Sequence, residues 1–268
     1  MEIPFWKYSG CGNDFIIFDN REDVFPSDDR QYIERLCHRH WGIGADGVIL
    51  LETSLTADFK MVVFNADGCR TSMCGNGLRC LMAFIHDQEL ASIICTIETE
   101  SFVHQLQLND DATITATMPP PHQQRWHQLL TLNNQQLEIH ALNTGVPHAI
   151  LFVNDIATVD MNKLGSAIRH HHDFYPHGTN ANIAHINDNN IIDLRTYERG
   201  VEAETWACGT GATATAIAAA IVKHLPSPIK VRVRSGDLLT IAFDVSNHHI
   251  SNISMTGPAN RIFQGTMG

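Results

Sequence analysis

Short runs of aliphatic, β-branched and aromatic residues, broken by Gly, Pro, Asn and Asp, recur along the whole chain and predict a sheet-dominated protein. The clearest are 59–64, 93–97, 102–108 and 113–118 in the first half, then 149–153, 192–197, 229–233 and 238–245. Ile229, Val231 and Val233 alternate with Lys230, Arg232 and Arg234, the period of a half-buried antiparallel strand with its cations in water. Three stretches keep a helical period instead. In the first, Ser27, Asp28 and Asp29 cap a turn, after which Ile33, Leu36, Cys37 and His40 recur until Gly42. In the second, Leu78, Leu81, Met82 and Ile85 share a face. In the third, Ala214, Ile217, Ala218 and Ile221 do so, closed by Lys223, His224 and Pro226.

The last two helices open alike, on Cys74-Gly75-Asn76-Gly77 and Cys208-Gly209-Thr210-Gly211, half a chain length apart. That duplication predicts two lobes, each a sheet wrapped around one mostly apolar helix with a thiol at its N-terminus. Pro119, Pro120 and Pro121 can neither continue a helix nor donate to a sheet, and polar Gln123, Gln124 and Arg125 follow, so this stretch reads as the linker. The expected domains are 1–118, carrying Cys74, and 119–263, carrying Cys208, with a tail of about 264–268 returning to the first.

Composition narrows the function. With 44% hydrophobic and 18% charged residues over 268 positions, the chain has ample core and no disordered character. A net charge of −11 argues against nucleic acid, which calls for clustered cations. No secretory pattern opens the sequence and no apolar run reaches the roughly 20 residues of a membrane span, so a cytoplasmic protein is expected. Seven cysteines without an export signal read as reduced thiols. Cys37, Cys80 and Cys95 read as core fillers, and Cys11 and Cys69, flanked by Gly, are left open. The run His170-His171-His172 with Asp173 and His177 reads as a polar loop rather than a metal site.

A thiol is a base only as thiolate, and the amides of a helix N-terminus both favour that form and bind anions. Each Cys-Gly-x-Gly step can therefore supply a proton carrier and a carboxylate cradle. Two such steps sharing one small molecule would place a sulfur on each face of its α-carbon, which is what inverting a stereocentre needs. Neither a dinucleotide fingerprint nor a phosphate loop nor a pyridoxal-phosphate signal is present, so a cofactor-free mechanism is expected, with one cysteine thiolate while the other is thiol.

Gly10-Cys11-Gly12-Asn13-Asp14-Phe15, Phe64-Asn65-Ala66-Asp67-Gly68, Cys74 to Cys80, Gly145-Val146-Pro147-His148, Ala181-Asn182-Ile183, Tyr197-Glu198-Arg199-Gly200, Ala207 to Gly211 and Met255-Thr256-Gly257-Pro258 together resemble the diaminopimelate epimerase family, in family order over nearly the whole chain. The resemblance implies an α+β fold of two pseudo-symmetric lobes, each a mostly antiparallel sheet around a central helix. It also implies interconversion of LL- and meso-2,6-diaminopimelate for lysine and peptidoglycan synthesis, and a homodimer. By the same resemblance Cys208 takes the proton from the LL substrate and Cys74 returns one. His148 and Glu198 assist, and Asn13, Asn65, Asn76, Asn182, Glu198 and Arg199 contact the substrate with amides at Gly75, Gly209 and Thr210. Read without it, His148 is a turn histidine, Glu198-Arg199 a solvated pair, and Asn13, Asn65 and Asn182 turn residues.

Two positions depart from the common family pattern. Gly47 stands where many members have Gln, and Val146 where many have Asn, so two polar contacts are missing unless water or Thr144 replaces them. Relaxed amino-acid selection is the expected consequence. The rival readings are a proline racemase or hydroxyproline epimerase, disfavoured by Asn76 where those resemble His, and a thiol redox or metal-binding module without turnover.

Overall fold

In the computed structural model, which describes residues 2–132, 134–246 and 249–267, eighteen strands and four α-helices follow one another among the described residues. The first half runs β1 (Ile3–Gly10), β2 (Asn13–Asp19), α1 (Arg30–Cys37), β3 (Gly47–Glu52), β4 (Phe59–Asn65), β5 (Arg70–Thr71), α2 (Gly75–Asp87), β6 (Ile94–Glu98), β7 (Val103–Leu108) and β8 (Ile114–Thr117). After β9 (His122–Leu132) come β10 (Gln135–Asn143), β11 (Pro147–Phe152), α3 (Met161–Arg169), β12 (Asn180–Ile186), β13 (Ile192–Glu198), β14 (Ala203–Thr205), α4 (Gly209–Lys223), β15 (Ile229–Arg232), β16 (Leu238–Ser246) and β17 (His249–Gly257). The last strand is β18 (Asn260–Met267). Leaving aside β9 and β18, the order of strands and helices is the same twice over. The pairing repeats too: β2–β3 and β11–β12 are parallel, as are β4–β6 and β13–β15, while their neighbours run antiparallel.

Two units result, Met1–Thr117 with Gly257–Gly268, and Met118–Thr256. The segment that returns to the first unit starts at Gly257, earlier than the expected 264, because β18 pairs antiparallel along β1 from Ile3↔Met267 to Ser9↔Asn260. The expected linker is also partly strand. His122 pairs with Asn143 and Arg125 with Ala141, so Gln123 and Gln124 belong to β9, whose mostly solvent-facing side chains make it read as polar.

In the first unit α2 packs on β1, β2, β3, β4, β7, β8 and β18. Its Leu78, Cys80, Leu81, Met82, Phe84 and Ile85 are fully buried. A buried aliphatic or aromatic side chain contributes roughly 1.5–3 kcal/mol, against about 1 kcal/mol for a cap, so burial rather than capping fixes this helix. The opposite face of the sheet is covered by α1, whose Ile33 and Leu36 join Val48, Leu50, Val62 and Phe64. Being buried on both faces, β3 reads as a continuous apolar run, Gly47-Val48-Ile49-Leu50-Leu51.

The second unit repeats this plan. Residues Gly209 to Ala219 of α4 are all buried, and the helix packs on β10 to β13, β15 and β16. Thr213 and Thr215 are tolerated there because their hydroxyls donate back to Gly209 O (3.0 Å) and Gly211 O (2.8 Å). The other face carries α3, which the sequence reading missed. It is short and interrupted by Gly165, yet Asp160 caps it by accepting the Lys163 N–H, and Met161 and Ile168 pack with Phe174, Ile183 and Tyr197. Gly165 is required, since a Cβ there would lie 2.6 Å from Tyr197 Cβ. Among the described residues no helix is long and apolar enough to cross a membrane.

Candidate active site

Within the first unit, Cys74 is the N-cap of α2 in an extended conformation, and its Sγ accepts the Gly77 N–H at 3.3 Å. The glycine lets the turn close: a Cβ on Gly77 would stand 3.0 Å from Ile49 Cδ1 and 3.3 Å from Cys74 Cβ. A chain of amides with fixed polarity meets this sulfur. Arg79, buried and donor-only, gives Nη2–H to Asn76 Oδ1 at 2.8 Å, so Asn76 Nδ2 faces Asn13 Oδ1 at 3.2 Å. Asn13 Nδ2 donates to Asp46 Oδ2 at 2.8 Å, and Arg39 in turn holds Asp46 Oδ1 (2.8 Å) and Asp14. Asn13 Oδ1 is therefore an acceptor toward Cys74, whose S–H donates to it across 3.9 Å. Arg79 also gives hydrogen bonds to Gly75 O (3.2 Å), Pro258 O (3.3 Å) and Cys11 Sγ (3.3 Å).

Within the second unit, Cys208 caps α4 in the same extended conformation, but no side-chain cap bond is made from it. Its Sγ lies 3.5 Å from Thr210 Oγ1. His148, at the start of β11, is buried with Nε2 3.0 Å from Thr210 Oγ1 and Nδ1 3.0 Å from Asn182 Nδ2. Burial, with the Arg199 charge adding, pulls its pKa down to about 3, so the ring is neutral. Asn182 Oδ1 accepts from Thr196 Oγ1 at 3.0 Å. Gly211 permits this packing, since a Cβ there would lie 2.4 Å from Asn182 Oδ1.

The candidate residues occupy matching places in the two units. Cys74 and Cys208 begin the central helices, Asn65 and Glu198 end β4 and β13, and Asn13 and His148 lie at the starts of β2 and β11. Asn65 is exposed, Glu198 and Arg199 half-buried, and Gly75, Asn76, Gly209 and Thr210 buried in the first turns of their helices. Asn182, expected to contact the substrate, is fully buried; its Nδ2 lies 3.0 Å from His148 Nδ1 and within reach of Ala149 O (3.2 Å) and Asn180 O (3.4 Å), so it holds His148. Asn180 was missed. It accepts the Arg199 N–H at 2.8 Å and donates to Pro147 O at 3.0 Å, joining the strand ends that carry Arg199 and His148. The repeated Asn in Asn180-Ala181-Asn182, both on one face of a strand, was the available signal.

Two other clusters bring metal-ligand atoms within 4.8 Å of one another, His127 with Glu138 and His140, and His171 with His172 and Asp173. In each, the buried histidine already accepts a backbone N–H through Nδ1, His140 from His127 (3.1 Å) and His171 from Asp173 (3.3 Å), which puts the proton on Nε2. The polar loop expected around 170–177 follows the end of α3 at Arg169; it contains a 3-10 turn at His172–Phe174 and is mostly exposed, with His171 and Phe174 buried.

The diaminopimelate epimerase family model matches residues 5–122 and 140–262. The diaminopimelate epimerase of Flavobacterium psychrophilum is 39% identical over 99% of this chain and 100% of its own, and that of Aquifex aeolicus 36% identical over 99% and 98%. The chain belongs to the diaminopimelate epimerase family. Its fold is shared more widely: a PhzF-family phenazine biosynthesis protein of Bacillus anthracis has a TM-score of 0.78 at 15% identity, covering 100% of this chain and 99% of that one. A hydroxyproline epimerase from Agrobacterium vitis also has a TM-score of 0.78, at 12% identity, over 99% of this chain and 92% of its own.

Against the common pattern of the diaminopimelate epimerase family, Gly47 now has a physical reason. It opens β3 opposite Asn65, and a Cβ there would stand 2.4 Å from Phe64 O, so this backbone admits no side chain. Thr144, the expected replacement contact, is engaged within the second unit. It is fully buried and donates to Thr210 O at 2.9 Å, tying the loop before β11 to the first turn of α4.

Proposed function

We propose that this isomerase interconverts LL- and meso-2,6-diaminopimelate without a cofactor, using Cys208 and Cys74 as a thiolate and thiol pair. In the LL-to-meso direction the α-carbon C–H bond breaks, its proton passes to the Cys208 thiolate, and the electron pair spreads into the α-carboxylate. The Cys74 thiol then gives its proton to the opposite face of the carbon, leaving Cys208 as thiol and Cys74 as thiolate. Carboxylate charge would be held by the amides of Gly75, Gly209 and Thr210 at the starts of two helices, and Asn13, Asn65, Asn76, Glu198 and Arg199 would orient the substrate.

The observation that carries this reading is the opposite surroundings of two thiols in one duplicated setting. Cys74 faces the acceptor Asn13 Oδ1, which suits a proton donor, while Cys208 faces the hydroxyl of Thr210. With no polar side chain at Gly47 or Val146, selection of the substrate's distal end is weaker, and slow racemisation of glutamate, aspartate or alanine is expected beside diaminopimelate. Turnover of diaminopimelate alone would remove that part. A cytoplasmic homodimer supplying lysine and peptidoglycan synthesis completes the proposal.

Initial rates on purified LL-diaminopimelate test it. Cys74→Ala and Cys208→Ala should each lower epimerisation by about 10²–10⁴-fold. Near-normal turnover by either variant would refute the paired-thiol assignment.

A further inference from the structure

A series of hydrogen bonds in the second unit runs from Thr196 to the sulfur of Cys208, and its direction can be derived atom by atom. Asn182 Nδ2 lies beside the carbonyls of Ala149 and Asn180, which only accept, while Oδ1 takes the Thr196 hydroxyl proton. The amide orientation is thereby fixed, and Nδ2 donates to His148 Nδ1 at 3.0 Å. A neutral imidazole that accepts through Nδ1 carries its one proton on Nε2, which donates to Thr210 Oγ1 at 3.0 Å. The hydroxyl, its oxygen engaged as acceptor, has its own proton to turn toward Cys208 Sγ at 3.5 Å.

We propose that Thr210 is a further catalytic residue: its hydroxyl, aimed by the Asn182–His148 pair, donates a hydrogen bond to the Cys208 sulfur and holds it as the thiolate. Asn182 and His148 are then positioning residues that act through Thr210. The proposal deepens the epimerase reading and rests on Cys208 being its base. The groups packed around the relay are His148 on β11, Asn182 on β12, Thr196 on β13, Thr210 on α4 and the Arg199 cation after β13, whose charge helps keep His148 neutral.

Thiolate formation can be read without turnover, from the pH dependence of iodoacetamide alkylation at Cys208, followed by mass spectrometry of the full-length protein. A hydrogen bond to a charged acceptor corresponds to about 1–2 pH units. Thr210→Val should raise the alkylation midpoint of Cys208 by about that much, and Thr210→Ser, which keeps the hydroxyl, should restore it. Nitrogen-15 NMR of the imidazole should find the His148 proton on Nε2. An unchanged midpoint in Thr210→Val, or a proton on Nδ1, would overturn the proposal. If alkylation shifts as stated while the wild-type chain fails to epimerise diaminopimelate, the relay stands and the substrate assignment falls.

Discussion

Gly211 and Gly47 show how single positions set the site. A methyl group on Gly211 would press on Asn182 Oδ1, and one on Gly47 on the Phe64 carbonyl, each at 2.4 Å. Because the obstructing atom at Gly47 is backbone, relief there requires a strand to move. Gly211→Ala and Gly47→Ala should each lower the unfolding free energy by about 1–3 kcal/mol, read as a lower urea midpoint; unchanged midpoints would contradict the packing described. These constraints explain what the sequence could and could not convey about the site. The places of Cys74 and Cys208 at the starts of the central helices were legible because the duplicated Cys-Gly-x-Gly steps mark them locally. The role of Asn182 was not, because its partners His148, Ala149 and Thr196 come from β11 and β13, distant in sequence.

Helix α2 depends on its thiol in a way that α4 does not. Cys74 Sγ takes the Gly77 N–H, whereas Cys208 makes no side-chain cap bond. Cys74→Ala should therefore destabilise the protein by about 0.5–2 kcal/mol more than Cys208→Ala, with Cys74→Ser recovering much of the loss. Equal thermal midpoints for the two alanine variants would sink this distinction. The elements read from periodicity held where they were long or fully buried: α2, α4 and strands such as β4 and β13 lie within a residue or two of expectation. Helix α1 stops at Cys37, short of the expected Gly42, with His38 already extended. Strand β9 escaped because it is mostly exposed, and α3 because nine residues with a central glycine give too few repeats of the period.

At the scale of the molecule, burying neutral histidines makes the fold sensitive to acid. His148 is held near pKa 3, against 6.5 for the ordinary side chain, and burial pulls His140 down to about 4 and lowers His104 as well. These rings stay neutral when folded and bind protons on unfolding, so stability is full above about pH 6.5 and falls as the pH drops below it. His148 alone should account for about 2 kcal/mol of loss by about pH 5. Urea denaturation at neutral pH and near pH 5 should show this loss, reduced by about that amount in His148→Gln; an identical pH dependence in the variant would refute the assignment.

In the proposed paired-thiol mechanism the proton removed from the substrate and the proton delivered to the product travel on different sulfurs. The most direct measurement is turnover of LL-diaminopimelate in deuterium oxide, with proton NMR and mass spectrometry of the meso product at early conversion. The account predicts one deuterium at the inverted carbon of essentially every product molecule, because the returning thiol has exchanged with solvent. Product that keeps the substrate's own hydrogen at that carbon would contradict it.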